Sequence, residues 1–139
     1  MFPLRAQSAF NPDAPTLSID DITKFRTDDA LKSPLLDSLA VMLNFYGLEM
    51  KEVNSALRVC CSATFPERRE VWLSPSNHNF LRISRILACL TLLGCPRHAE
   101  ALCFSCFERA AECVCPTSNA SHNKHYVHWL TYGHSGDML

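Results

Sequence analysis

The sequence predicts an all-α fold, a single compact bundle of four to six helices with an extended N-terminal lead-in and a poorly ordered C-terminal tail. Three observations predict it. Apolar residues recur at spacings of three and four, the helix period, and few alternating runs of β-branched residues interrupt them. Only four glycines occur in 139 residues, and Gly47 and Gly94 each stand directly after a periodic apolar stretch, where helices end. Capping residues and prolines precede such stretches, where helices begin.

The elements follow in order. Residues 2–15 carry Pro3, Pro12 and Pro15 and read as an extended segment hugging the surface. Ser18 then fits an N-cap, with Asp21 three residues on as in a capping box. A short helix is predicted from Ile19 to about Arg26, presenting Ile19, Ile22 and Phe25 on one side. Asp28 is the next N-cap. Beyond it Leu31, Leu35, Leu39, Met42, Leu43 and Tyr46 make an apolar stripe that stops at Gly47. Pro34 either kinks this helix or sets the start of its longer part.

Residues 49–72 are ambiguous and read as a weaker helix followed by a loop around Pro66. Ser74-Pro75-Ser76-Asn77 introduces another helix, capped by Ser76 or Asn77. It carries Leu81, Ile83, Ile86, Leu87, Leu90 and Leu93, and Gly94 closes it. Pro96 suits the first turn of a last helix, with Ala99, Leu102, Cys103, Cys106, Phe107 and Ala110 on one face. The helical domain is taken as residues 1–115. Residues 116–139 form a polar, His-rich tail, expected to be poorly ordered.

Thirteen Lys and Arg against fourteen Asp and Glu leave a net charge of −1. That balance gives no electrostatic case for nucleic acid, whose binding rests on clustered positive charge. The longest nearly apolar run, residues 86–95, is half the length of about 20 residues that a bilayer span needs. The first ten residues lack the apolar run of a signal peptide. Asn119-Ala120-Ser121 is an acceptor motif for glycosylation and carries no weight without secretion. Eight cysteines in such a chain are expected to be mostly reduced thiols in a cytosolic or nuclear setting.

Three segments together resemble the conserved region of the opioid growth factor receptor family. Phe2-Pro3-Leu4, followed by Ser8-Ala9-Phe10-Asn11-Pro12-Asp13-Ala14-Pro15, is similar to the family's aromatic-Pro opening and Asn-Pro-x-Ala-Pro turn. Met42-Leu43-Asn44-Phe45-Tyr46-Gly47-Leu48 resembles its Met-Leu-x-Phe-Tyr-Gly signature. Trp72-Leu73, then Asn77-His78-Asn79-Phe80-Leu81-Arg82-Ile83-Ser84-Arg85-Ile86-Leu87, looks like its His-Asn-x-x-Arg-Ile-[Ser/Thr]-Arg-Ile-Leu helix. The resemblance covers roughly residues 2–110. The aromatic segment that precedes this opening in the family has no counterpart, as expected of a truncated or mis-started chain. Beyond Ala110 the Cys- and His-rich stretch leaves the pattern.

The resemblance implies an all-helical, receptor-like domain without a cofactor, binding a short opioid (enkephalin-type) peptide or another protein, with effects on cell growth. By the same analogy it implies cytoplasm or nucleus, with peripheral membrane association. The alternative is a structural or protein-interaction domain with no small ligand. Fold alone does not choose between them.

The residues themselves offer one candidate site. His78, Arg82 and Arg85 stand at i, i+4 and i+7, on one helical face. The two arginines form a fork suited to a carboxylate or phosphate, whose oxygens match guanidinium donors. Alternatively they pair with Asp20/Asp21 or Asp28/Asp29 and lock helices together. Met42, Phe45 and Tyr46 are read as core, with the Tyr46 hydroxyl hydrogen-bonded. Cys103-x-x-Cys106, Cys113-x-Cys115 and His122, His125 and His128 raise the question of zinc. The first pair falls on an apolar stripe and the second is too tightly spaced, so no metal is assigned. No phosphate loop, Gly-x-Ser-x-Gly or His-Glu-x-x-His motif occurs, and no enzyme activity is assigned. A Cys–His nucleophile pair is the one enzymatic alternative.

Overall fold

Helix α1 (Ile19–Thr27) begins where the capping residues place it. The Ser18 hydroxyl accepts from the Asp21 N–H at 3.1 Å, and the Asp21 carboxylate accepts from the Ser18 N–H at 3.0 Å. Those hydrogen bonds stabilise the ionised carboxylate and lower the Asp21 pKa. Ile22 and Phe25 pack against the core, whereas Ile19 is 64% exposed and does not join them. The computed structural model describes residues 2–7, 11–74 and 77–114, with side chains as far as Cys106. Phe107, Ala110 and residues 115–139, including the expected tail, lie outside the described side chains.

Helix α2 (Asp29–Tyr46) is capped by Asp28, whose carboxylate accepts from the Ala30 N–H at 2.9 Å. The helix runs through Pro34, so its start lies earlier than the proline. Leu35, Leu39, Leu43 and Tyr46 are buried along the expected stripe. Gly47 ends the helix at φ +72°, donating its N–H to the Leu43 and Asn44 carbonyls. A Cβ there would sit 2.6 Å from the Phe65 Cα, so glycine is required both by conformation and by close approach.

The all-α expectation fails immediately after Gly47. Strands β1 (Leu48–Val53) and β2 (Ala56–Cys61) form an antiparallel hairpin in register from Leu48↔Cys61 to Val53↔Ala56. The fold is therefore mixed, with five helices and a two-stranded sheet among the described residues. Asn54 and Ser55 make the turn with φ of +52° and +62°. Two consecutive left-handed residues are the type I′ arrangement, whose twist matches paired strands. The hairpin escapes a sequence reading because Val53 and Val59 are its only β-branched residues and Ser55 stands where glycine is the usual signal. The expected loop around Pro66 is likewise a helix. Pro66 sits in the first turn of α3 (Phe65–Trp72), where its missing N–H has no helical acceptor to lose.

Trp72 joins the hairpin end of the molecule to α2. It is fully buried, donates Nε1–H to the Tyr46 carbonyl at 3.0 Å, and lies 5.2 Å from the Tyr46 ring. Helix α4 (Asn79–Leu92) buries Ile83, Ile86, Leu87, Cys89 and Leu90, while Leu81 is exposed and off the expected stripe. Gly94, at φ +84°, closes α4: Cys95 N–H reaches the Leu90 carbonyl at 2.8 Å and Gly94 N–H the Thr91 carbonyl at 3.3 Å. That pair of bonds is a Schellman motif. Helix α5 (Pro96–Val114) starts at the proline and buries Ala99, Leu102 and Cys106, as its apolar face predicts. The lead-in closes the core at one side, with Phe2 buried and Leu17 N–H bonded to the Leu4 carbonyl at 3.0 Å.

Candidate functional site

The polar face of α4 is built from an asparagine hub upward. Asn77 donates its amide to the Val71 carbonyl at 2.9 Å and to Ser74 Oγ at 2.8 Å. Its Oδ1 accepts from the Asn79 N–H at 2.9 Å and from Asn79 Nδ2 at 2.8 Å. Asn77 thereby satisfies an N–H that the helix start leaves free, the task expected of a cap. Asn79 is a polar side chain only 1% exposed, and its Oδ1 accepts from Arg82 Nη1 at 3.1 Å. A buried amide without such partners costs about 1–3 kcal/mol. Arg82 is thus held by the helix's own first turn.

Arg85, one turn further, donates Nε–H to the Phe2 carbonyl at 2.9 Å. This bond joins residues far apart in sequence and fastens the lead-in across α4. His78 is exposed at the head of the helix and makes no side-chain cap bond. Arg82 and Arg85 thus stand within α4, with His78 at its N-cap. Neither arginine reaches Asp20/Asp21 or Asp28/Asp29. Among the described residues the ion pairs are Lys32–Asp29 at 2.7 Å and Lys51–Glu49 at 2.6 Å. Asn79 and Phe2 are the partners that the sequence reading did not assign, although both lie inside its quoted motifs.

Behind this face lies Tyr46. It is core, as expected, with Met42 and Phe45 packed partly buried against the same cluster. Its hydroxyl, however, has no hydrogen-bond partner among the described residues, against the expectation of one. Burial drives its pKa upward, with the nearby Arg82 charge opposing.

Among the described residues Cys60, Cys89, Cys95, Cys103 and Cys106 are free thiols. Burial raises Cys89 to about 11 and Cys106 to about 12, and also raises Cys95 and Cys103. A thiol is nucleophilic only as thiolate, so these four are poor nucleophiles near neutrality. Among the described residues no cluster of three or more potential metal ligands occurs. Cys113, Cys115, His122, His125 and His128 lie outside the described side chains. No helix among the described residues is long and apolar enough to cross a membrane.

A family model described as "Opioid growth factor receptor (OGFr) conserved region" matches residues 1–133 of the chain. The match runs past Ala110, where the motif-level resemblance stops. The chain is 31% identical to the opioid growth factor receptor of Mus musculus over 102 residues, which is 73% of this chain and 16% of the relative. It is 32% identical to opioid growth factor receptor-like protein 1 of Mus musculus over 132 residues, 94% of this chain and 27% of the relative. Its counterpart in Xenopus tropicalis is 36% identical over 95 residues, 68% and 18% of the two chains. The chain thus corresponds to less than a third of the length of these relatives. No solved structure gives a significant match.

Proposed function

We propose, because this chain belongs to the opioid growth factor receptor conserved-region family, that it is a non-enzymatic, receptor-like binding domain whose ligand is a short opioid (enkephalin-type) peptide. His78, Arg82 and Arg85 on α4 are the ligand-facing residues in this reading. The observation that carries it is electrostatic. Both guanidiniums donate to neutral oxygens, Asn79 Oδ1 and the Phe2 carbonyl, and among the described residues neither has a carboxylate partner. Among the described residues no carboxylate pairs with the positive charge of this face, and the remaining donors suit a peptide carboxylate. The relatives are named receptors, which accords with a binding role rather than catalysis. The domain works in cytoplasm or nucleus, any membrane association being peripheral.

A second reading, a protein-interaction domain with no small ligand, has its own support. The bond from Arg85 to Phe2 gives that arginine a structural task, fastening the lead-in. Titration calorimetry with an enkephalin-type pentapeptide separates the two. The receptor reading predicts saturable heat, and about tenfold weaker binding both for the C-terminally amidated peptide and for Arg82→Ala. Absence of heat at high micromolar peptide leaves the second reading.

A further inference from the structure

A groove of ≈ 460 Å³ lies between β2 and α5, within the range of about 300–1,000 Å³ typical of ligand sites. One wall consists of residues 55–59, consecutive positions of turn and strand. Successive strand residues point to opposite faces, so a wall made of consecutive residues is the edge of the strand. The other wall is Arg97, Glu100, Ala101, Phe104 and Ser105, whose spacing of three and four marks one face of α5.

The strand edge has hydrogen-bonding groups to offer. In a two-residue hairpin the closing pair, here Val53 and Ala56, exchanges both main-chain bonds. The next pairs alternate, so Leu57 and Val59 turn their N–H and C=O groups away from β1. Among the described residues these groups make no main-chain bond to another element. Arg58 and Arg97 make no ion pair among the described residues. With Glu100 alone opposing them, the lining carries a net positive charge. Phe104 is 56% exposed, a large aromatic ring presented to the groove. Ser105 is 2% exposed, and its Oγ is buried with no hydrogen-bond partner among the described residues.

We infer that this groove takes an extended acidic peptide segment of a partner protein, added as a third strand along the edge of β2 at Leu57 and Val59, with its carboxylates on Arg58 and Arg97. Strand addition uses main-chain bonds for affinity and side-chain pockets for specificity. The five-residue wall is about 16 Å long, enough for four or five extended residues. Phe104 receives an apolar side chain of the segment, and Ser105 Oγ gains the partner it lacks. A compact anion would engage the arginines and leave the strand edge unused. The α4 face takes no part, so the inference stands apart from the opioid-type reading.

Fluorescence anisotropy with a labelled Glu-Val-Glu-Val-Glu peptide tests it on the full chain. Saturable binding to the wild-type protein is expected, with the Lys-for-Glu counterpart failing to bind. Methylating the two valine main-chain nitrogens, or methylating the remaining main-chain nitrogens instead, gives two probes, and at least one weakens binding about tenfold or more because strand addition needs those donors. Arg58→Ala with Arg97→Ala weakens it by a similar factor, circular dichroism confirming that the variant is folded. Lys24→Ala, which removes a positive charge from the exposed side of α1, leaves it unchanged. The inference is overturned if the peptide does not bind, if both methylated probes bind as well as the parent, or if Lys24→Ala weakens binding as much as the arginine pair does. It is equally overturned if inorganic phosphate or free glutamate displaces the peptide at matched concentration, which would mark a small-anion site.

Discussion

Arg82 and Arg85 on α4 differ from Arg58 and Arg97 beside the β2–α5 groove in what their guanidiniums already hold. The α4 pair is bonded into the fold, one to the buried amide of Asn79 and the other to the backbone of the lead-in. The groove pair has no ion-pair partner among the described residues and stands over a strand edge. Two arginines on a surface thus carry different meanings. Where the fold supplies neutral acceptors, the charge is positioned, and removing it costs stability as well as any binding through the remaining donors. Where the fold supplies none, the charge is available and removing it should change binding alone.

The largest expected effect tests whether both surfaces rest on one core. Trp72 links α3 to the end of α2, next to the hairpin that carries Arg58. Trp72→Ala should lower stability by about 3–5 kcal/mol in denaturant titration, the usual cost of deleting a buried aromatic ring. Binding at both surfaces should fall together. If one surface keeps its ligand under conditions where the other is lost, the two do not share this support.

Much of the α4 surface was legible in the sequence, because helix caps and three-and-four spacing are local signals. Ser18 with Asp21, Asp28, Gly47, Gly94 and Pro96 each mark a helix end that the structure contains. The placement of Arg82 and Arg85 within α4, with His78 at its N-cap, follows from the same signals. The groove was illegible for a physical reason. It requires the hairpin, and the hairpin is specified by two left-handed residues, Asn54 and Ser55, with few β-branched residues beside them. Once residues 49–72 are read as helix and loop, Arg58 has no strand edge to stand on. The partners of the α4 arginines were hidden differently. A bond from Arg85 to the Phe2 carbonyl depends on tertiary placement that no local pattern encodes.

Two cysteines offer a smaller probe, one on each helix. Cys89 is buried on α4 and pushed to about 11, with Arg85 pulling it down, whereas Cys106 follows Ser105 on α5 and is pushed to about 12. Both folded values exceed the ordinary thiol value, so the fold favours the protonated form. Their stabilising contribution is complete below about pH 9 and is lost as pH rises through the folded values. Calorimetric scans from pH 8 to 11 should show a falling melting temperature, and Cys106→Ala should flatten that fall. A profile that rises across this window would contradict burial of the two thiols.

The most direct test is a paired measurement of melting temperature for Arg82→Ala/Arg85→Ala and Arg58→Ala/Arg97→Ala. The α4 pair should cost roughly 2–4 kcal/mol, since charged hydrogen bonds are lost and the buried Asn79 Oδ1 loses its donor. That corresponds to a drop of about 7–14 °C for a chain of this size. The groove pair should shift the midpoint by no more than about 1–3 °C, as exposed unpartnered charges do. Equal drops, or a larger drop for the groove pair, would contradict the distinction between a built-in and an available pair of charges.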